Sequence, residues 1–439
     1  MYFKRTISED LLAWSKSPVR KPLVLMGARQ TGKTSLLKEL GKVGFKQLAY
    51  FNFEEQPDLK QFFETTKDVN RIIQNLSIVH GGAINPDDTL IVFDEIQECR
   101  PALNTLKYFY ENVPQYAVAS AGSLLGIALG RGASFPVGMV EFFELQPLTF
   151  SEFLEQAEPG LATYVKSLDL SEPVLDLFFH HLVEKFKMYF LCGGMPEAAK
   201  NLVADNDTDR MQKSLNDVLL AYRLDFAKHA NPKDIAKIGY VWDSIPSQLA
   251  RDNKKFLYQA VKTGARAREY EDSLLWLIQA GLVHKVNRIS RPGIPLSSYD
   301  DLSAFKLFLL DVGLLRTMAH LDQMAFSEHT RLFTEFKGAL TENYILQSLI
   351  SQFKPTPRYW VSEGKAEVDF LIQYKNEVIP VEVKSEENVR SKSLTMYYQK
   401  YSPPVRIRYS LKNLQWSDGL LNIPLFLADY TRKFVDQVI

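Results

Sequence analysis

A glycine-rich segment with a lysine and a threonine lies near the start of the chain, at residues 27–34. It reads Gly27-Ala28-Arg29-Gln30-Thr31-Gly32-Lys33-Thr34, which has the spacing G-x-x-x-x-G-K-[ST]. An apolar run, 22–26, precedes it, and the segment from Ser35 to Leu40 has the composition of a helix start. A loop between a strand and a helix points backbone N–H groups at an anion, and Lys33 adds a positive charge. The spacing therefore predicts a loop, residues 27–35, that binds the phosphates of a nucleoside triphosphate.

An Asp-Glu pair, Asp94-Glu95, follows a second apolar run at residues 89–93. A carboxylate at a strand tip that faces the phosphate loop can hold Mg²⁺, which gives Asp94 this role beside the hydroxyl of Thr34. Glu95 is then placed to orient and deprotonate an attacking water. A solvated acidic turn is the alternative interpretation, but the presence of the phosphate loop favours hydrolysis of ATP with Mg²⁺, with Lys33 and Glu95 as catalytic residues.

A serine follows another strand-like run, in the segment Ser120-Ala-Gly-Ser123. From a strand next to the phosphate loop, the hydroxyl of Ser123 can reach the γ-phosphate or the attacking water. A residue that only fills the turn is an equally good interpretation.

The composition is that of an ordinary globular protein, with 439 residues, 46% of them hydrophobic and 24% charged. This length suffices for two or three domains. The formal net charge is zero, so no global field attracts nucleic acid or an anionic membrane. Two cysteines exclude a disulfide framework. Without a signal-peptide pattern or an apolar run of about 20 residues, we expect a cytoplasmic protein that is not inserted in a membrane.

Strand-like runs alternate with helical patterns over the first 150 residues, which predicts an α/β fold with a parallel sheet covered on both faces. The following segment is helical and ends in two strands that resemble a winged helix, with an excess of basic residues between 251 and 291. A solvated helical face explains that excess equally well. The last hundred residues read as a further α/β unit. We therefore predict three domains, at 1–155, 156–325 and 326–439.

A second group of polar residues lies in the last of these domains. Asp369 and the pair Glu382 and Lys384 belong to adjacent predicted strands, and the period of two places Glu382 and Lys384 on one face. If Asp369 faces them across the hairpin, the carboxylates form a site for Mg²⁺ with a lysine beside it. Glu342, on the preceding predicted helix, is a fourth candidate ligand.

This group has the pattern D-x(n)-E-x-K of the PD-(D/E)XK nuclease fold, and the order helix–strand–strand–strand–helix–strand around it also fits that restriction-endonuclease-like fold. Asp369, Glu382 and Lys384 would then be its catalytic residues. A solvated hairpin with ordinary salt bridges is the alternative. Activity is a separate question, because such folds also serve as binding scaffolds.

Over nearly its whole length the chain resembles bacterial and archaeal AAA-type ATPases fused to a C-terminal domain of unknown function. Besides the phosphate loop, the resemblance rests on several short segments: 93–97, 134–138, 147–154, 193–196, 244–249, 311–315, 367–370 and 382–384.

The resemblance implies an AAA-like P-loop domain, a helical lid or winged helix, and a nuclease-like C-terminal domain. It also implies a nucleotide role for the turn Gly193-Gly-Met-Pro196, with Pro196 near the adenine. By analogy with related ATPases, Arg131 would act on the γ-phosphate of a neighbouring subunit, which requires a homo-oligomer.

Three functions fit these observations. The first, which we favour from the sequence, is an ATPase whose nucleotide state repositions the winged-helix and nuclease-like domains on DNA. The second is an ATP-regulated nuclease in genome defence. The third is an ATP-dependent switch in which an inactive nuclease-like scaffold binds protein partners, and the zero net charge slightly favours it.

Overall fold

The computed structural model describes residues 1–130, 138–251, 254–321, 331–364, 366–385 and 391–439. These residues form two compact units. The N-terminal unit comprises residues 4–146 and 279–281, and the C-terminal unit comprises residues 1–3, 147–278 and 282–439. The three-domain division remains a prediction.

The N-terminal unit contains a five-stranded sheet in the order β2-β3-β4-β1-β5. Every described pair of neighbouring strands is parallel, as the alternating pattern predicts. The strands are β1 (Leu23–Met26), β2 (Gln47–Asn52), β3 (Thr89–Asp94), β4 (Ala117–Gly122) and β5 (Glu141–Glu144). The helices are α1 (Ser8–Lys16), α2 (Lys33–Gly44), α3 (Gln61–Glu64), α4 (Val69–His80), α5 (Arg100–Asn112) and α6 (Leu125–Gly130).

Both faces of this sheet are buried, which explains why its central strands read as continuous apolar runs. In β3, Ile91 and Phe93 join one hydrophobic cluster, and Leu90 and Val92 join the cluster on the other face. All six residues of β3, including Asp94, are buried. A parallel sheet covered on both faces is therefore confirmed.

The C-terminal unit contains the remaining helices and an eight-stranded sheet. Its helices are α7 (Phe150–Ala157), α8 (Pro159–Ser167), α9 (Asp176–Cys192), α10 (Pro196–Val203), α11 (Thr208–His229), α12 (Ile235–Leu249), α13 (Tyr258–Val261), α14 (Ala267–Gln279, whose last residue belongs to the N-terminal unit), α15 (Val312–Met318), α16 (Arg331–Gln352), α17 (Lys392–Tyr401) and α18 (Thr431–Val435). Its strands are β6 (Val283–Ile289), β7 (Asp300–Leu309), β8 (Arg358–Val361), β9 (Glu367–Tyr374), β10 (Glu377–Val383), β11 (Arg406–Ser410), β12 (Gln415–Ser417) and β13 (Leu420–Pro424).

The eight strands follow the order β12-β13-β11-β10-β9-β8-β6-β7. The two strands that the sequence assigns to a winged helix, β6 and β7, thus lie in the same sheet as the strands of the last hundred residues. β6 pairs with β7 on one side and runs parallel to β8 on the other, with Arg288 opposite Tyr359. The predicted boundary between 325 and 326 therefore separates strands that share one sheet. A winged helix and a restriction-endonuclease-like fold both remain predictions.

Cys99 and Cys192 are free and buried. In the part of the chain that the structure describes, every helix is too short or too polar to cross a membrane.

β6 carries a histidine, His284, whose Nε2 atom is buried and has no hydrogen-bond partner among the described residues. Burial, with a smaller effect from the charge of Lys354, lowers the pKa of His284 to about 4. An unfolded chain binds this proton near pH 6.5. As the pH falls from about 6.5 towards 4, the free energy of unfolding should therefore decrease by up to about 3 kcal/mol.

We expect His284→Leu to lose less stability on acidification than the wild type, because this variant has no imidazole to protonate at that position. The melting temperatures of both proteins at pH 7.5 and pH 5 test this. His181→Leu removes an exposed histidine of α9 and serves as the control. Equal acid-induced decreases in the wild type and His284→Leu would contradict the prediction.

Candidate nucleotide-binding site

The loop between β1 and α2 has the backbone conformation that its glycines allow. Gly27 has a φ of +152°, and a Cβ atom there would lie 2.3 Å from the carbonyl oxygen of Leu145. Gly32 has a φ of +96° and immediately precedes the first residue of α2. Gln30 also adopts a positive φ, of 65°, which is uncommon for a residue other than glycine. The loop thus ends at a helix N-terminus, where backbone N–H groups without helical partners can bind an anion.

Lys33 is folded onto this loop and is 5% exposed. Its Nζ atom donates to the carbonyl oxygens of Gly27 at 3.0 Å and Ala28 at 2.8 Å. Thr31 is fully buried, and its hydroxyl also donates to Ala28, at 3.0 Å. Arg5 donates to the carbonyl oxygen of Thr31 at 3.0 Å. These contacts hold the lysine ammonium in the loop, beside the N-terminus of α2.

Asp94 lies at the carboxyl end of β3 and is held by three donors. The hydroxyl of Thr34 donates to Oδ2 of Asp94 at 2.6 Å, and the hydroxyl of Tyr50 donates to the same oxygen at 2.7 Å. The backbone N–H of Glu95 donates to Oδ1 at 3.0 Å. The structure therefore brings together Thr34 and Asp94, two residues that the sequence separates by 60 positions and assigns to Mg²⁺.

Tyr50 is a residue of this site that sequence reasoning missed. Burial, followed by the hydrogen bond to Asp94, raises the pKa of Tyr50 above its ordinary value, so the phenol stays a donor at neutral pH. Its role depends on β2 lying next to β3, a neighbour relation that the sequence pattern does not contain.

Glu95 follows Asp94 in a left-handed backbone conformation, with a φ of +49°. Such a conformation costs a residue other than glycine about 1–3 kcal/mol, and residues of this kind cluster at functional sites. It directs the chain into a short 3₁₀ turn, Ile96–Glu98, in which Gln97 donates from Nε2 to Oε2 of Glu95. This hydrogen bond restrains the carboxylate of Glu95 in the turn that follows β3.

Ser123 immediately follows β4, and β4 lies between β3 and β1 in the sheet. Because the strands are parallel, the ends of β1, β4 and β3 meet at one edge. Ser123 is 5% exposed at that edge. Its proposed contact with the γ-phosphate stays a prediction, as do contacts of the nucleotide with Arg29, Gln30 and Ser35. Arg131 lies outside the described residues, and its action on a neighbouring subunit also stays a prediction.

Pro196 is the first residue of α10, in the C-terminal unit. The preceding glycines are needed for close packing in that unit. A Cβ atom on Gly193 would lie 2.2 Å from Oδ1 of Asp311, and the N–H of Gly194 donates to Oδ2 of Asp311 at 2.6 Å. This packing accounts for the Gly-Gly pair, and the nucleotide role of Pro196 remains a prediction from the resemblance.

The C-terminal unit holds the second predicted group of polar residues. β9 and β10 are antiparallel, and the last residues that pair, Phe370 and Val381, directly adjoin Asp369 and Glu382. Asp369 accepts a hydrogen bond from the N–H of Val383 at 2.8 Å. Lys384 forms an ion pair with Glu382 at 2.6 Å. The predicted pairing of these strands is thus present.

Glu342 of α16 contacts two lysines that sequence reasoning missed, Lys254 and Lys306. Oε1 of Glu342 accepts from Lys254, and Oε2 lies 3.8 Å from Nζ of Lys306. Lys306 is fully buried in β7 and also forms an ion pair with Glu367. Although burial favours the neutral amine, the charges of Glu342 and Glu367 raise the pKa of Lys306, so it remains an ammonium.

Asp369 lies in the same electrostatic environment. Burial and the negative charge of Glu342 raise the pKa of Asp369 to about 7, although Lys306 and Lys254 oppose the shift. Within the described ranges, no three His, Cys, Asp or Glu side chains are arranged to hold a metal ion. The metal role of Glu342, Asp369 and Glu382 stays a prediction. In this structure Lys254 and Lys306 contact Glu342, and Lys384 contacts Glu382 as the pattern predicts.

Three family models match separate parts of the chain. The model described as AAA domain matches residues 19–154. Two models described as domains of unknown function, DUF8612 and DUF4143, match residues 183–325 and 337–427. The match over residues 19–154 supports an AAA-type P-loop domain in the N-terminal unit. No curated protein matches the sequence significantly.

Solved structures show weak similarity. The Walker-type ATPase PABY2304 of Pyrococcus abyssi is 17% identical, with 72% of this chain and 96% of that chain covered and a TM-score of 0.45. The ORC1 protein of Aeropyrum pernix, solved in complex with DNA, is 13% identical over 73% of this chain and 92% of its own, with a TM-score of 0.26. PCH-2 of C. elegans is 14% identical over 48% and 67%, with a TM-score of 0.29. Scores this low carry no conclusion about function.

Proposed function

We propose that this protein binds and hydrolyses ATP with Mg²⁺ in its AAA domain. The observation that carries the proposal is the 2.6 Å hydrogen bond between Thr34 and Asp94, which joins the phosphate loop to the acidic end of β3. The same unit also provides the ammonium of Lys33, the N-terminus of α2 and the carboxylate of Glu95. This set contains a phosphate-binding loop, oxygen ligands for a cation and a general base.

The residues fit the cofactor. A hydroxyl and a carboxylate are the hard oxygen ligands that Mg²⁺ prefers, so Thr34 and Asp94 would hold it. When bound, Mg²⁺ neutralises charge on the β- and γ-phosphates. The loop N–H groups and Lys33 bind the phosphates. Glu95 takes a proton from the attacking water while the oxygen of that water bonds to the γ-phosphorus. The bond from the γ-phosphorus to the bridging oxygen breaks, which leaves ADP and phosphate.

The direct test is phosphate release from ATP by the purified full-length chain. We expect hydrolysis with Mg²⁺, and no hydrolysis with EDTA or in Asp94→Asn, because the amide removes the negative charge that attracts the cation. Asp87→Asn, a change from carboxylate to amide at an exposed position before β3, is the matched control. Hydrolysis that persists in Asp94→Asn would contradict the site.

For the C-terminal unit, the structure supports the scaffold candidate over the nuclease. Glu342 pairs with Lys254 and Lys306, and Glu367 pairs with Lys306, so ammonium groups that are not part of the nuclease pattern supply positive charge that a divalent cation would otherwise bring. Lys306 is fully buried. A metal ion would have to displace these ion pairs, and separating a buried pair is costly. We therefore favour a nucleotide-controlled switch whose nuclease-like unit binds a partner.

We expect the wild-type protein to show no cleavage of single- or double-stranded DNA in Mn²⁺, and no rise in melting temperature when Mn²⁺ is added without nucleotide to the Asp94→Asn variant. The second arm uses Asp94→Asn because this variant lacks the carboxylate that would hold a cation in the nucleotide site. Cleavage that is lost in both Asp369→Ala and Lys384→Ala would contradict the scaffold and establish the nuclease candidate.

The partner on which this protein acts is either DNA or another protein. The winged-helix interpretation favours DNA. Titration of the protein with DNA at several salt concentrations, with and without a non-hydrolysable ATP analogue, separates the two candidates. Contacts with DNA phosphates weaken as the salt concentration rises. A cytoplasmic location and a homo-oligomer that uses Arg131 complete the proposal.

A further inference from the structure

Gln97 lies beside Glu95, the candidate general base. Gln97 is polar and has no role in the hydrolysis proposed above. It lies in the 3₁₀ turn after β3, and its Nε2 atom donates to Oε2 of Glu95. Ile96, between the two, is fully buried in the hydrophobic core and anchors the turn. The contact between Gln97 and Glu95 therefore rests on a fixed backbone.

The orientation of the Gln97 amide follows from its partner. A carboxylate oxygen only accepts, so the amide nitrogen must face Glu95, and the carbonyl oxygen Oε1 must face away from it. Oε1 is buried, and none of the described residues donates a hydrogen bond to it. The amide nitrogen of Gln97 thus has a hydrogen-bond partner, Glu95, and the amide oxygen has none among the described residues.

The space for that oxygen is created by Gly122, the last residue of β4. A Cβ atom at position 122 would lie 2.3 Å from Oε1 of Gln97, which is closer than real contacts allow. Gln97 consequently fills the gap between the ends of β3 and β4, directly before Ser123. It links Glu95 to the strand end on which the γ-phosphate contact was predicted.

Packing alone does not explain a glutamine at this position. A buried carbonyl without a donor destabilises a fold, and methionine has nearly the same length and no such cost. What glutamine adds is the hydrogen bond to Glu95. We infer that Gln97 is the positioning residue of Glu95, restraining its carboxylate in the orientation from which it takes the proton of the attacking water.

This inference rests on the proposed function, since it assigns Gln97 a role in that hydrolysis. Glutamate has three rotatable side-chain bonds, and a misplaced base transfers protons poorly. Gln97 itself exchanges no proton and forms no bond to the substrate. Its loss should therefore lower kcat and leave the binding of ATP unchanged.

The test is Gln97→Met in the full-length protein. We expect kcat to fall about tenfold or more, because small displacements of a catalytic group have effects of this order. We expect an unchanged KM, an unchanged affinity for a fluorescent ATP analogue, and a melting temperature that is equal or higher. Gln97→Asn keeps the amide but shortens the side chain, and it should lower kcat similarly. Gln47→Met makes the same change at an exposed position of β2 and is the control.

A double-mutant cycle separates positioning from packing. In the Glu95→Gln background, Gln97→Met should cause no further loss of kcat, because the base that it positions is already absent. Equal losses in both backgrounds, or a full kcat in both Gln97→Met and Gln97→Asn, would overturn the inference while the ATPase assignment stands. A wild-type protein that does not hydrolyse ATP would overturn both.

Discussion

Replacing Lys33 by alanine is expected to lower the affinity for ATP by about 100-fold or more. The ammonium lies in the phosphate loop, 5% exposed and hydrogen-bonded to two loop carbonyls. Its loss removes one positive charge and several donors from the phosphate site. Hydrogen bonds to charged groups contribute about 1.5–3 kcal/mol each, and about 2.7 kcal/mol corresponds to a 100-fold change in affinity. Titration with a fluorescent ATP analogue measures the effect.

The matched control is Lys42→Ala, which removes an exposed lysine from the last turn of the same helix, α2. It should bind the analogue as the wild type does. Melting temperatures of both variants show whether the fold is intact. Equal affinities for the ATP analogue in the wild type and in a folded Lys33→Ala variant would show that the phosphate loop does not bind the nucleotide.

Replacing Glu95 by glutamine is expected to slow hydrolysis by about 100-fold or more and to leave ATP binding in place. General bases contribute about 10²–10⁴-fold, and the amide cannot accept the proton of the attacking water. The backbone N–H of residue 95 still donates to Asp94, so the cation ligands keep their positions. Single-turnover phosphate release, combined with the binding titration, separates the chemical step from affinity.

Glu64→Gln makes the same substitution at an exposed position of the N-terminal unit, at the end of α3. Its rate should equal that of the wild type. A Glu95→Gln variant that hydrolyses ATP at the wild-type rate would show that another group accepts the proton. The Lys33→Ala and Glu95→Gln results are independent, because one measures binding and the other the chemical step.

The phosphate loop could be predicted from the sequence because its geometry is local. Residues 27–34 are contiguous, and glycines at Gly27 and Gly32 permit the backbone that the loop needs. The continuous apolar run of β3 likewise indicated a strand buried on both faces. Tyr50 and Gln97 were not found, because their contacts with Asp94 and Glu95 depend on neighbouring strands and on one short turn.

The hairpin of β9 and β10 could also be predicted, since alternation along a strand determines which of its residues share a face. Whether Asp369 faces Glu382 depended on the register of the two strands, which the sequence left open. The surrounding lysines were not predictable. Lys254 precedes Glu342 by 88 residues, and no pattern in the sequence records their contact.

The sequence alone thus determined the phosphate loop, the acidic end of β3 and the parallel character of the first sheet, because spacing and apolar periodicity act over short distances. Tertiary structure decided two other features. The order of the strands placed Gly122 of β4 against Gln97 after β3. Long-range packing brought Lys254 and Lys306 to Glu342, so that ammonium groups meet the carboxylates that had been expected to hold a metal. Such contacts join residues distant in the chain, and only the folded backbone brings them within bonding distance.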